Sequence, residues 1–188
     1  MARVVVLGAG ISGHTAAAFL RKWLGKDDEV TVVSPLPDYN WIPSNIWVGV
    51  GLLQAEQVVF PLAPVYRRHG IRFMQARAVA LYPEGTETDA SPSVEIEWTE
   101  EGKKGQRESI PYDFLINATG PKLNFGATEG LGPGKNSLSV CTAPHAQETA
   151  RTFLDLVEQM KRGDRKRFVV GTGHGTCTCE GAAFEYTV

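Results

Sequence analysis

Near the start of the chain, Gly8-Ala9-Gly10-Ile11-Ser12-Gly13 has the spacing GxGxxG, which suits a phosphate group. The first glycine of such a motif permits a tight turn out of a strand. The second removes a Cβ that would collide with a pyrophosphate, and the third lets helix and strand pack closely. A helix opening there offers unpaired N–H groups and the positive end of its dipole to the phosphates. The chain's other reactive groups are three cysteines, Cys141, Cys177 and Cys179. Cys141 sits just before a helix predicted over residues 146–160, and a helix N-terminus favours negative charge on sulfur. His174, Cys177 and Cys179 spell H-x-x-C-x-C, half of a metal site. Structural zinc takes four ligands at recognisable spacing, and no second pair follows, so no metal site is expected.

These groups need elements to hold them. Arg3–Leu7 reads as a buried parallel strand, short, β-branched and ending at glycine. Residues 11–24 read as a helix with Ala16, Ala17, Phe19, Leu20 and Leu24 available to face a sheet. Residues 30–33 form a second strand, which closes a βαβ unit. A Pro-rich loop with Tyr39 and Trp41 follows, then a second apolar stretch over 46–53. Next come a short helix over 61–69, a strand over 71–75, and antiparallel strands over 78–82 and 94–98. Phe114–Asn117 is another buried strand, ending at Ala118-Thr119-Gly120. Residues 125–135 are glycine-rich without apolar periodicity, hence a linker. Residues 168–170 read as a new strand before a second glycine-rich turn, a weak echo of residues 4–20.

A dinucleotide-binding strand usually ends in Asp or Glu, which grips the ribose hydroxyls. Here that place is Ser34, which disfavours NAD as the first ligand. Composition excludes other classes. With 19 Lys+Arg against 21 Asp+Glu in 188 residues, no global basic field attracts nucleic acid. No apolar run reaches the roughly 20 residues that span a bilayer, and no signal peptide pattern opens the chain. The expected location is cytoplasmic, and the odd, late cysteines are not a secreted disulfide framework.

Four stretches carry a resemblance. Val30-Thr-Val-Val-Ser34 with Tyr39-Asn-Trp-Ile-Pro-Ser-Asn-Ile-Trp-Val-Gly-Val-Gly51, Tyr112-Asp-Phe-Leu-Ile-Asn-Ala-Thr-Gly-Pro-Lys-Leu-Asn-Phe-Gly126, Val140-Cys-Thr-Ala-Pro-His-Ala146 and Cys179-Glu-Gly-Ala-Ala-Phe-Glu185 resemble, in order, segments of sulfide:quinone oxidoreductases. These belong to the flavoprotein disulfide-reductase superfamily. The resemblance implies an α/β fold: a Rossmann-like, three-layer FAD-binding domain with an incomplete second dinucleotide-binding domain. It implies residues 1–124 as the N-terminal part of the FAD domain, 125–145 as a linker with the redox cysteine, and 146–188 as the start of the second domain. FAD is the implied cofactor, sulfide the donor, quinone the acceptor and the inner-membrane surface a peripheral location.

By the same resemblance, Cys141 is the catalytic candidate, taking hydrosulfide to a persulfide while two electrons pass to FAD and on to quinone. Gly8, Ala9, Gly10, Ile11, Ser12, Gly13, Ser34, Val79, Thr119 and Gly120 become cofactor contacts, and Pro43, Ser44 and Asn45 are expected near the isoalloxazine. Cys179 matches a family cysteine read as structural. His145 and Lys122 follow the family pattern, with a surface role as open as a catalytic one. Trp41, Ile46 and Trp47 have three readings: flavin pocket, core packing, or a patch for quinone or lipid. The basic run over 161–167 reads as a solvated connection.

The resemblance also implies a chain roughly twice as long as this one. The sequence therefore reads as an N-terminal portion that does not turn over alone, completed by its other half in cis or in trans, with a homodimer as another way to cover its sheet. A cytochrome-linked sulfide dehydrogenase subunit or an NADH:quinone oxidoreductase relative is the second reading. A non-enzymatic partner-binding fragment is the third. Gly171-Thr-Gly-His-Gly175 lacks the third glycine of GxGxxG, which disfavours NADH.

Overall fold

The structure, a computed structural model, describes residues 1–173 and 181–187. The chain divides into two compact units, Met1–Tyr39 with Pro61–Pro121, and Asn40–Phe60 with Lys122–Val188.

The first unit is built on β1 (Arg3–Leu7), α1 (Ile11–Trp23) and β2 (Glu29–Ser34). Val4, Val6, Val30 and Val32 lie on one face of the paired strands and are almost fully buried. Each such side chain contributes about 1.5–3 kcal/mol over leaving it in water. Val5, Leu7 and Val33 point to the opposite face, so both faces of these parallel strands are covered. α1 packs against β1 and β2. The turn after α1 is held by the Arg21 guanidinium, which donates to the oxygens of Leu24 (3.2 Å), Gly25 and Asp28 (2.6 Å).

Two short strands, β3 (Asp38–Asn40) and β4 (Val59–Pro61), flank the excursion into the second unit, where α2 (Asn45–Gly49) lies. The chain then forms α3 (Leu62–Arg68), β5 (Arg72–Tyr82), β6 (Ser93–Trp98), β7 (Arg107–Pro111) and β8 (Phe114–Asn117). The main sheet runs β7-β6-β5-β2-β1-β8. β5 is one continuous strand where the sequence suggests two. Residues 72–75 pair in parallel with β2, and residues 76–82 pair antiparallel with β6. The long strand therefore serves both the parallel sheet and an antiparallel meander. Met74, Ala76, Val94, Ile96, Ile110 and Tyr112 pack the meander onto Val5, Leu7 and Val33. With α1 and α3 this makes helix, parallel sheet and meander, a three-layer Rossmann-like α/β domain.

The Arg3–Asp113 pair ties β1 to the turn before β8. The Arg3 N–H donates to Asp113 Oδ2 at 2.6 Å and Nη2 to Oδ1 at 2.8 Å. The Arg3 side chain, then its backbone N–H, hold the Asp113 carboxyl down to about 2.

In the second unit, α4 (Ala143–Lys161) packs on α2 through small residues three apart, Ala143, Ala146 and Thr149. Val48, Ala55 and Val58 complete that core. α5 (Gly181–Thr187) ends the described chain. The strand expected over 168–170 does not form: the segment is irregular, and Val169 is 89% exposed. Among the described residues no neighbouring strand offers it a ladder. Phe19, expected to face the sheet, is instead 46% exposed beside Trp23, its ring 5.1 Å away. Ala17, two positions earlier, takes the buried position.

His14 on α1 is a buried-side histidine. Its Nδ1 lies 3.1 Å from the Tyr66 hydroxyl, and its ring is tilted on Tyr39 at 5.0 Å. Burial, then the His69 charge, lower its pKa below the ordinary 6.5. An unfolded chain therefore binds this proton more readily than the folded one. Stability due to His14 is complete above pH 6.5 and is lost as the pH falls below that value. Urea titrations across that range should show this loss, and His14→Gln should flatten it.

Candidate functional site

β1 lies between β2 and β8, so the strand order reverses at its carboxyl end, where open α/β sheets bind ligands. The glycine motif occupies this place. Gly8 has φ +97° and donates its N–H to the Val33 carbonyl at 2.8 Å. A Cβ on Gly8 would overlap the Ala118 carbonyl, and one on Gly13 would overlap the Gly8 carbonyl and lie 3.3 Å from Ala118 Cβ. These two glycines are therefore fixed by packing between the β1 turn, α1 and the end of β8.

Gly10 differs. It is the N-cap of α1, with φ −71° and no side-chain cap, and nothing lies within 4 Å of where its Cβ would be. Open space beside uncapped helix N–H groups is what a pyrophosphate requires. Ala9 is buried, whereas Ile11 and Ser12 are exposed at the start of the helix. Thr119 follows β8, its backbone N–H and its hydroxyl both donating to Asn117 Oδ1 at 3.3 and 2.9 Å, and Gly120 has φ +70°.

A cavity of about 370 Å³ adjoins this turn, lined by Gly8, Val33, Pro35, Ala76, Arg77 and Thr119 among others. Val79 lies just beyond, at a bulge: the β5–β6 register runs from Ala78 to Ala80 and leaves it without a partner. Bulges of this kind free backbone groups beside binding sites. Ser34 is 6% exposed, and its hydroxyl is engaged with Leu36, donating to the carbonyl (3.3 Å) and accepting from the N–H (3.4 Å).

The remaining candidates belong to the second unit. Pro43 and Ser44 form a 3₁₀ turn before α2. Asn45 is fully buried, and its amide exchanges two hydrogen bonds with Asn40 at 2.9 and 3.0 Å. That pair fixes the loop, and the Asn45 side chain is spent on it. Ile46 is core at 8% exposed, whereas Trp41 and Trp47 are exposed at 43% and 46%. Core packing therefore accounts for Ile46 alone.

Cys141 is an exposed free thiol two residues before α4. Its N–H donates to Ser139 Oγ at 3.1 Å. Thr149 Oγ1 donates to the Ser139 carbonyl at 2.9 Å, and Val140 packs on the α2–α4 core. The segment is thus pinned just before an exposed cysteine. His145 on α4 has a buried Nδ1 without a hydrogen-bond partner among the described residues, and an edge-on contact with Phe125 at 5.5 Å. Lys122 is exposed. His174, Cys177 and Cys179 lie outside the described residues.

The structure gathers Gly8 to Gly13, Ser34, Val79, Thr119 and Gly120 in one unit, and Pro43 to Asn45 and Cys141 in the other. Sequence reasoning missed Arg77, Thr149 and Ser139. An arginine set between alanines in a strand, and small residues three apart on α4, were the signals available.

A family profile described as pyridine nucleotide-disulphide oxidoreductase matches residues 2–185. The chain belongs to this family. It is similar to the sulfide-quinone reductase of Aquifex aeolicus, 33% identical over 185 residues, which is 98% of this chain and 37% of that protein. The solved sulfide:quinone oxidoreductase of that bacterium superposes with a TM-score of 0.67 at 32% identity, covering 84% of this chain and 33% of the other. An external alternative NAD(P)H-ubiquinone oxidoreductase of Arabidopsis thaliana, B3, mitochondrial, is 27% identical over 183 residues, 91% of this chain and 30% of its own length. The chain thus spans about a third of the relatives it matches. The cofactor of this family is FAD, and the open position at Gly10 beside an uncapped helix fits its pyrophosphate. No helix among the described residues is long and apolar enough to cross a membrane.

Packing and ligand space separate the glycines by experiment. Gly13→Ser should lower stability in urea melts by about 1–3 kcal/mol through forced overlap. Gly10→Ser places a good N-cap residue in open space and should leave stability within about 0.5 kcal/mol of wild type, or slightly above it.

Proposed function

We propose that this chain carries the FAD-pyrophosphate turn and the redox cysteine of a sulfide:quinone oxidoreductase-type flavoenzyme. The observation that carries the reading is the exposed, pinned Cys141 in a chain whose whole length matches a sulfide-quinone reductase. Residues 1–124 are then the N-terminal part of the FAD domain, 125–145 the linker, and 146–188 the start of a second dinucleotide-binding domain. Gly8, Ala9, Gly10, Ile11, Ser12 and Gly13 hold the pyrophosphate, with Thr119 and Gly120 beside it. Ser34 and Val79 serve the adenosine end through backbone groups. Pro43, Ser44 and Asn45 form a rigid wall for the isoalloxazine.

Bound FAD supplies a two-electron acceptor. The chain's own part in the oxidation is Cys141. Its sulfur would bond to the sulfur of hydrosulfide only as bound FAD took up the two electrons, leaving a persulfide on Cys141 and releasing the hydrosulfide proton to solvent. Quinone is the final acceptor, and the enzyme works at the inner-membrane surface as a peripheral protein. A quinone reductase driven by NAD(P)H is the second reading, favoured by the Arabidopsis relative and disfavoured by the incomplete glycine motif over 171–175.

Anaerobic sulfide should bleach FAD bound to the wild-type chain and add one sulfur atom to the Cys141 peptide by mass spectrometry. Cys141→Ser should do neither, and equal bleaching by that variant would sink the role. The chain alone should not sustain sulfide-dependent quinone reduction, and steady turnover by the pure chain would contradict this.

A further inference from the structure

The adenosine end of the cavity lacks the group that normally reads a ribose. A strand-end carboxylate usually accepts hydrogen bonds from the two ribose hydroxyls. Ser34 stands there, uncharged, buried and engaged with Leu36. A cation lines the same cavity instead. Arg77 borders it with Gly8 and Thr119. Its register neighbour across β5 and β6 is Glu97, but Glu97 pairs with Arg107 at 3.6 Å. Among the described residues the Arg77 side chain makes no hydrogen bond or ion pair. An arginine left uncommitted at the border of a cavity that also includes Gly8, the first glycine of the turn, suits phosphate oxygens, which a guanidinium engages through paired N–H donors.

We infer that Arg77 binds the phosphates of the dinucleotide, and that the adenosine end is held through phosphate charge and not through its ribose hydroxyls. The inference rests on the FAD reading and names a residue that reading does not use. It makes Arg77 a binding residue whose loss affects every phosphate-bearing adenosine ligand alike. It also makes the site tolerant of changes at the ribose 2′ position.

Isothermal titration of the full chain with ADP, 2′-deoxy-ADP and FAD tests it. ADP and 2′-deoxy-ADP should bind wild type within about twofold of each other. Arg77→Met should weaken all three ligands about tenfold, the loss of one charge-assisted contact. Arg77→Lys should recover part of that loss, and added salt should weaken wild type more than Arg77→Met. Circular dichroism of each variant establishes that the fold is unchanged. Unaltered binding by Arg77→Met, or 2′-deoxy-ADP binding at least tenfold more weakly than ADP, would overturn the inference while leaving the FAD reading intact. Failure of wild type to bind ADP and FAD alike would overturn both.

Discussion

The first unit is organised around one close approach, where the β1 turn, the start of α1 and the end of β8 meet with no room for a side chain at Gly8 or Gly13. The contact sets how near α1 lies to the sheet, and so brings its N–H groups to the strand ends. It also fixes where β8 ends, because the Ala118 N–H donates to the Leu7 carbonyl at 2.8 Å. The space at Gly10 stays open between two neighbours that are closed by packing. Packing thus fixes two glycines of the motif and leaves the third beside open space.

The β1–α1–β2 unit was legible in the sequence because its signals are local: a valine run, a glycine turn and a helix with small residues inward. β5 was not. Its middle reads Ala76-Arg77-Ala78-Val79-Ala80, too weakly patterned to reveal that one strand passes from a parallel ladder to an antiparallel one. Phe19 was misplaced because α1 buries a narrow stripe at Gly13 and Ala17 and leaves its aromatics outside. Residues 168–170 have strand composition without a strand's neighbours, and composition cannot supply a ladder. Of the candidate site, the glycines and Thr119 were readable from motif and position. Arg77 was not, since only the fold brings this part of β5 to the border of a cavity shared with Gly8 and Thr119.

The second unit shows a comparable economy. Small residues on α4 let α2 approach, and Thr149 uses the same face to hold the Ser139 carbonyl. The Asn40–Asn45 pair stiffens the loop that precedes α2. Ser139, Val140 and Thr149 near Cys141 are engaged in structure, and Cys141 itself is exposed.

Incubating the purified chain with FAD, removing free ligand by desalting and recording the visible spectrum tests most directly whether the glycine turn holds the flavin's pyrophosphate. The account predicts flavin absorption in wild type and none in Gly10→Ser, with both proteins equally folded by circular dichroism. A colourless wild type, or a Gly10→Ser variant that retains as much flavin, would contradict it.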